Sequence, residues 1–267
     1  MKNVFFLMLL SGCLWMFNGC SDDDEKVETN AEKAIGKWIA TEINGETPLT
    51  DSLFCMEFRT DKVEMYAIGS RIDEHNSKWA ESSDYTYSIN NDVITINGKD
   101  NSGKAVHVEM KIHTLTSTQL KYSVNSYTYD GVSIPDSKIY TCKKADVDYS
   151  SKIVGVWHGK CTSANTTDTT NHYWEYFADG KYNYYYTNAN GGWVKKSDNE
   201  GKYFLYGDLF VSNYMNDFVD GTQGWNYECW TISIIDNNKM KWTGKRADKT
   251  VVYEMERANA APNTTAQ

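Results

Sequence analysis

Ile35-Gly36-Lys37-Trp38 returns as Val154-Gly155-Val156-Trp157, and each copy opens a segment of a little over a hundred residues. The segments also close alike. Tyr140-Thr141-Cys142-Lys143-Lys144-Ala145 matches Tyr253-Glu254-Met255-Glu256-Arg257-Ala258 in spacing and in its final alanine. Between these ends, Glu57-Phe58-Arg59-Thr60-Asp61-Lys62 aligns with Glu175-Tyr176-Phe177-Ala178-Asp179-Gly180-Lys181 across one gap, and Leu120-Lys121-Tyr122 with Met240-Lys241-Trp242. Self-similarity at so long a period marks a tandem duplication. Whatever architecture the first half adopts, the second is expected to repeat.

Working outward from the repeat, the dominant signal in each half is alternation. Met110, Ile112 and Thr114 alternate with Glu109, Lys111 and His113, while Trp230, Ile232 and Ile234 alternate with Cys229, Thr231 and Ser233. A period of two puts one face of a strand in a core and the other in water, the pattern of half-buried antiparallel strands. Asn90-Asn91-Asp92, Tyr206-Gly207-Asp208 and Ala178-Asp179-Gly180 read as tight turns. About eight strands fit in each half; in the first they fall at 36–43, 53–58, 63–68, 85–89, 93–97, 106–115, 119–124 and 138–143. No amphipathic stretch is long enough for a principal helix, and a chain with 3 prolines and 19 tyrosines favours sheet. Eight hairpin-linked strands lose their exposed edges by closing on themselves. The sequence therefore predicts an all-β chain of two small antiparallel up-and-down barrels, at 34–145 and 153–258. A linker at 146–152 joins them, and a small polar tail at 259–267 is expected to be disordered.

Gly36-x-Trp38 and Gly155-x-Trp157, each on the first strand of its repeat, resemble the Gly-x-Trp opening of lipocalins. The resemblance spans nearly all of the chain beyond its leader, and in kind the repeats are similar to the lipocalin-like domains of lipoproteins from the Bacteroides group. It implies that Trp38 and Trp157 each plug one end of a barrel. Both halves are shorter than most lipocalins, which implies short loops and a shallow or filled interior.

The leader gives the location. Met1-Lys2-Asn3 is a short positive region, and Val4 to Phe17 is an almost unbroken apolar run, too short for the roughly 20 residues of a membrane-spanning helix. Residues 1–19 read as a signal peptide. Phe17-Asn18-Gly19-Cys20 resembles a lipobox, at which cleavage leaves a cysteine to be acylated. Leu10-Ser11-Gly12-Cys13 also fits by letter, but cutting there leaves a very short apolar core and strands Leu14-Trp15-Met16-Phe17 on the product, so Cys20 is preferred. Ser21-Asp22-Asp23-Asp24-Glu25 begins an acidic tether at 20–33 that resembles the surface-export segment of Bacteroides-group lipoproteins; as a run of like charge it is also an ordinary solvated linker. The expected location is the outer membrane, lipid-anchored and exposed on the cell surface, with a periplasm-facing anchor as the alternative. With 27 Lys and Arg against 36 Asp and Glu, the net charge is −9. A polyanion such as nucleic acid is repelled by that balance and is not an expected partner.

Once Cys13 and Cys20 are set aside, the cysteines pair off as Cys55 with Cys142 and Cys161 with Cys229, one pair per repeat. Export makes disulfides feasible, yet the pairs occupy different strands in the two halves, so free buried thiols remain the alternative. His107, Glu109 and His113 share a strand face, where a metal is conceivable. Alternating polar residues on one strand are what a solvated face looks like, and no metal is expected. The chain lacks Gly-x-Ser-x-Gly, His-Glu-x-x-His, a phosphate loop and Cys-x-x-Cys, which leaves no catalytic residue and no cofactor to assign.

The second repeat is unusually aromatic. Tyr173-Trp174-Glu175-Tyr176-Phe177 leads to Tyr182, Tyr184 and Tyr186 on one face and Tyr185 on the other, with Trp230 and Trp242 following. Aromatics on both faces exceed what a one-sided core needs, and tyrosine combines a flat apolar face with a polar tip. Trp174, Tyr182, Tyr184, Tyr186 and Trp230 are the candidate ligand contacts, for a small apolar or sugar-like molecule; a core rich in aromatics is the plainer reading of each. The expectation is a non-catalytic binding lipoprotein of the cell envelope. The alternative is a structural or protein-interaction module with filled barrels, and its protein partners are open.

Overall fold

In the computed structural model, which describes residues 28–50, 52–67, 84–100, 102–164, 166, 169–196, 201–217, 223–247 and 249–264, the alternating stretches are strands that close into two rings. Residues 1–19, expected to be a signal peptide, with Cys20 and the acidic run after it, lie outside the described residues. The first repeat contains β1 (Gly36–Ile43), β2 (Phe54–Phe58), β3 (Lys62–Ala67), β4 (Asp84–Asn90), β5 (Val93–Lys99), β6 (Ala105–Leu115), β7 (Gln119–Tyr129), β8 (Val132–Ser133) and β9 (Ile139–Lys144). Successive strands pair antiparallel, and β1 pairs with both β2 and β9, which completes an eight-membered ring with β8 as a short flap on β7. The second repeat follows the same plan with β10 (Gly155–Cys161), β11 (Asn171–Tyr176), β12 (Lys181–Thr187), β13 (Trp193–Lys195), β14 (Gly201–Tyr206), β15 (Leu209–Asp217), β16 (Gln223–Ile235), β17 (Lys239–Lys245) and β18 (Thr250–Ala258). Here β10 joins β11 to β18, and β13 is the flap on β12. The fold is thus all-β, with two tandem antiparallel up-and-down barrels of the lipocalin-like kind.

Alternation places the cores. Val106, Val108, Met110 and Ile112 of β6 face the first interior, and Trp230, Ile232 and Ile234 of β16 the second. Each ring is closed at one end by the same device. Gly36 (φ 127°) and Gly155 (φ 124°) turn the chain into the first strand in a conformation that side chains rarely adopt. Trp38 and Trp157 then swing into the barrel, fully buried, and each donates its indole N–H to the carbonyl four residues back, Ala34 and Ile153, at 2.7 Å. The last strand lays a cation over each ring: Lys144 at 5.3 Å from the centre of Trp38, Arg257 at 4.2 Å from that of Trp157.

The flanks differ from expectation in two places. Within the stretch expected to be tether, Asn30–Ala34 forms a helix, α1, whose cap residue Thr29 and Glu32 satisfy each other's backbone N–H groups. The Asn30 side chain donates to the Asn91 carbonyl at 2.8 Å, which ties α1 to the first barrel. At the other end Thr264 forms an isolated parallel bridge with Trp193.

The barrels are also joined side to side. Ile39 and Cys55 from the first meet Tyr206, Leu209, Val211 and Cys229 from the second in a separate buried cluster, flanked by an ion pair between Lys143 and Asp208. Thr50, in the loop between β1 and β2, occupies a rung of the second barrel's wall. Its N–H donates to the Lys245 carbonyl at 2.9 Å and its carbonyl accepts the Cys229 N–H at 2.8 Å. The missing side chain of Gly244 makes room there, since a Cβ would lie 2.6 Å from the Thr50 methyl and 2.7 Å from the Trp230 ring.

Candidate functional site

The aromatic excess of the second repeat gathers inside its barrel. Register explains how: Trp157 faces Trp174 across β10 and β11, and Trp174 faces Tyr184 across β11 and β12. In the first repeat the same positions are Trp38, Met56 and Met65. Exchange of two flexible thioethers for an indole and a phenol gives the second interior rigid walls where the first has adaptable filler.

These walls enclose a cup of about 250 Å³, lined by Trp174, Tyr176, Tyr182, Tyr184, Trp230, Trp242 and Tyr253, with Lys196, Ser212, Glu228 and Arg246 as its polar part. Trp242 is the hub; its ring lies 4.9 Å from Trp174, 5.9 Å from Trp230 and 5.9 Å from Tyr253. Arg246 grips Glu228 through two bonds of 3.0 and 3.1 Å and sits 5.5 Å over Trp230. Tyr184 Oη lies 2.8 Å from His172 Nδ1, and Tyr182 donates to the Asn213 carbonyl. Two groups differ. Tyr176 Oη and Trp242 Nε1 are buried and make no hydrogen bond among the described residues, although both side chains line the cup. Burial, with Tyr182 and Tyr203 close by, holds the Tyr176 phenol far above the usual tyrosine range, so it stays protonated.

Of the five expected contacts, Trp174, Tyr182, Tyr184 and Trp230 converge on this cup; Tyr186 stacks on Tyr184 at 6.2 Å but does not line the cavity. Tyr176, Trp242, Tyr253, Lys196 and Arg246 were not among the candidates. Tyr176 was within reach, two residues from Trp174 and so on the same face. The Arg246–Glu228 pair was not, because it depends on how β16 and β17 separate beyond Thr231 and Thr243.

Two other hollows lack these features. A cleft of about 350 Å³ between the barrels is lined by threonines and by Lys143 and Asp208, which are paired with each other. A groove of about 540 Å³ crosses the outer face of β10, β17 and β18.

Of the two states left open for the cysteines, the structure has the unpaired one: Cys55, Cys142, Cys161 and Cys229 are buried free thiols. Cys55 and Cys142 flank β1 opposite Ile39 and Ala40, adjacent residues whose side chains leave through opposite faces of the wall. Cys55 therefore joins the cluster between the barrels while Cys142 points inside, and Cys229 and Cys161 divide in the same way. Opposite faces cannot satisfy disulfide geometry. His107 and His113 also go separate ways, His107 to Asn97 at 2.7 Å and His113 to Ser123 at 3.0 Å.

A closed antiparallel up-and-down barrel plugged at one end by a tryptophan is a lipocalin-like fold. A family model described as the lipocalin-like domain matches residues 35–122, most of the first barrel. No curated protein matches the sequence.

Proposed function

We propose that this chain is an exported lipoprotein of the cell envelope, anchored through Cys20, that binds a small ring-bearing ligand in the aromatic cup of its second barrel and performs no catalysis on it. The observation that carries this reading is the convergence of Trp174, Tyr184, Trp230 and Trp242 with Lys196 and Arg246 on one cavity of about 250 Å³. The tryptophan-rich lining supplies the test. In a fluorescence titration with small sugars and aromatic acids, Trp174→Ala or Tyr184→Ala weakens binding at least tenfold, whereas Trp38→Ala lowers stability with little effect on affinity. Equal loss in all three points to unfolding and removes the assignment. For the anchor, radiolabelled fatty acid enters the wild-type chain and not Cys20→Ala.

The first half supports a second, compatible role. Its interior is filled by Trp38, Met56, Phe58, Ile94, Ile96 and Met110, and it braces the other barrel. It acts as a spacer that holds the cup away from the membrane, on the outer face of the outer membrane in the Bacteroides-type arrangement that the acidic tether resembles.

A further inference from the structure

We infer that both barrels stand with their tryptophan-plugged ends toward the bilayer and their unplugged ends away from it, so that the cup takes its ligand from the aqueous side and not from the leaflet that holds the anchor. The inference rests on the anchor and the cup proposed above and adds the direction in which the one presents the other.

Strand direction fixes the two ends of each barrel. β1 leaves the plug at Trp38 and β9 returns to it at Lys144, so the turns β2–β3, β4–β5 and β6–β7 share the plugged end, while the β1–β2 loop and the β8 flap share the other. In the second barrel the turns β11–β12 and β14–β15 lie at the end that Trp157 plugs, and the polar residues of the cup, Arg246 after β17 and Lys196 after β13, lie toward the opposite end. The barrels stand side by side in the same sense. At the plugged ends Lys37 Nζ lies 5.1 Å from the centre of the Tyr206 ring and Lys143 pairs with Asp208. Toward the unplugged ends Thr50 bonds the backbone of Lys245 and Cys229, and Glu46 lies 3.6 Å from the Lys245 ammonium. The tether joins at the plugged end, where Asn30 of α1 donates to the Asn91 carbonyl in the β4–β5 turn and Lys144 donates to the Lys33 carbonyl. Reach then decides which end meets the membrane. Thr29 is nine residues beyond Cys20, at most ~30 Å of extended chain. β7, with 11 residues, rises about 28 Å along the barrel at ~3.3 Å per residue and a tilt of ~40°. An inverted molecule would stretch the tether taut along the whole wall, whereas the plugged end can approach the bilayer with most of that length to spare. Attraction to lipid does not offset this difference. The large apolar side chains exposed among the described residues divide evenly, with Ile35, Val147 and Phe177 at the plugged ends and Val132, Ile134 and Ile139 beside the unplugged end of the first barrel.

Energy transfer from a thiol-linked fluorophore to a labelled headgroup lipid tests the direction, with the acylated full chain in vesicles of phosphatidylethanolamine and phosphatidylglycerol. Ser117→Cys and Asp179→Cys place the fluorophore at the plugged ends, Ser133→Cys and Asn190→Cys at the unplugged ends, all at exposed positions. The native thiols are buried; the unsubstituted chain measures any label they take up, and thermal melting checks that each variant folds. The expected result is transfer at least about twofold stronger from positions 117 and 179 than from 133 and 190. Equal transfer from all four, or stronger transfer from either of the latter pair, overturns the inference and leaves the anchor standing. A wild-type chain that leaves the vesicles as readily as Cys20→Ala removes the anchor and this inference with it, while ligand binding in the cup is read separately by the fluorescence titration.

Discussion

Arg257 does more than lie over Trp157. Its guanidinium donates to three carbonyls, Asn237 at 2.8 Å, Val154 at 2.9 Å and Lys152 at 2.6 Å, so one side chain fastens the last strand, the preceding turn and the entry to β10. Its counterpart Lys144 donates to the Lys33 carbonyl, at 3.1 Å. Arg257→Met is therefore expected to destabilise the chain by about 2–3 kcal/mol in urea denaturation, against about 1 kcal/mol for Lys144→Met. Gly159 makes a sharper prediction. A Cβ there would sit 2.1 Å from the Glu254 carbonyl oxygen, which is backbone and cannot step aside, so Gly159→Ala should cost about 1–3 kcal/mol. At Asp100, the hydroxyls of Tyr129 and Ser102 and the N–H groups of Ser102 and Lys104 all donate to the carboxylate and hold its pKa down to about 2. A folded pKa below the unfolded value of about 3.9 means that these bonds favour the fold above pH ~4 and are lost as pH falls toward 2. NMR titration should place the Asp100 midpoint near 2, and Tyr129→Phe should raise it.

Strands were the most legible elements, because alternation encodes them residue by residue. Seven of the eight strand segments read in the first repeat differ from the observed ones by two residues or fewer at either end. The exception is β7, which runs on to Tyr129 because Asp130-Gly131, both at positive φ, turn it into the β8 flap. The cysteines were not legible, since the face a residue points through depends on register, and a slip of one residue reverses it. Parity across β1 sends Cys55 outward and Cys142 inward, and burial pushes both thiols up, Cys142 to about 12. A reducing agent should therefore leave the melting temperature unchanged, whereas loss of a native disulfide typically costs 2–5 kcal/mol. Cys55, Cys142 and Cys229 should react with a thiol reagent only after unfolding. The cup was half legible: its walls follow from composition and parity, but Lys196 and Arg246 reach it through flap and strand-end geometry that no periodicity records.

For the molecule as a whole, the repeat foretold two barrels and the short linker kept them near each other. Neither foretold the joint, since Ile39, Leu209 and Val211 look like any outward-facing apolar residues until they meet. A buried cluster, an ion pair and a shared rung make the two halves cooperate. Calorimetry is expected to show one unfolding transition. Leu209→Asp, which puts a charge into the cluster, should divide it into two, and so should Thr50→Pro, which deletes the N–H offered to Lys245. Two transitions in the unaltered chain would contradict this coupling.

That rung bears on how the gene could be inherited. Exchange of the first repeat for one whose loop after the first strand does not reach the second barrel strands the Cys229 N–H and the Lys245 carbonyl without the backbone that satisfies both. Recombination between tandem copies is thereby penalised, and after the duplication the halves are expected to have diverged as a matched pair, free to specialise inside yet bound to keep their seam.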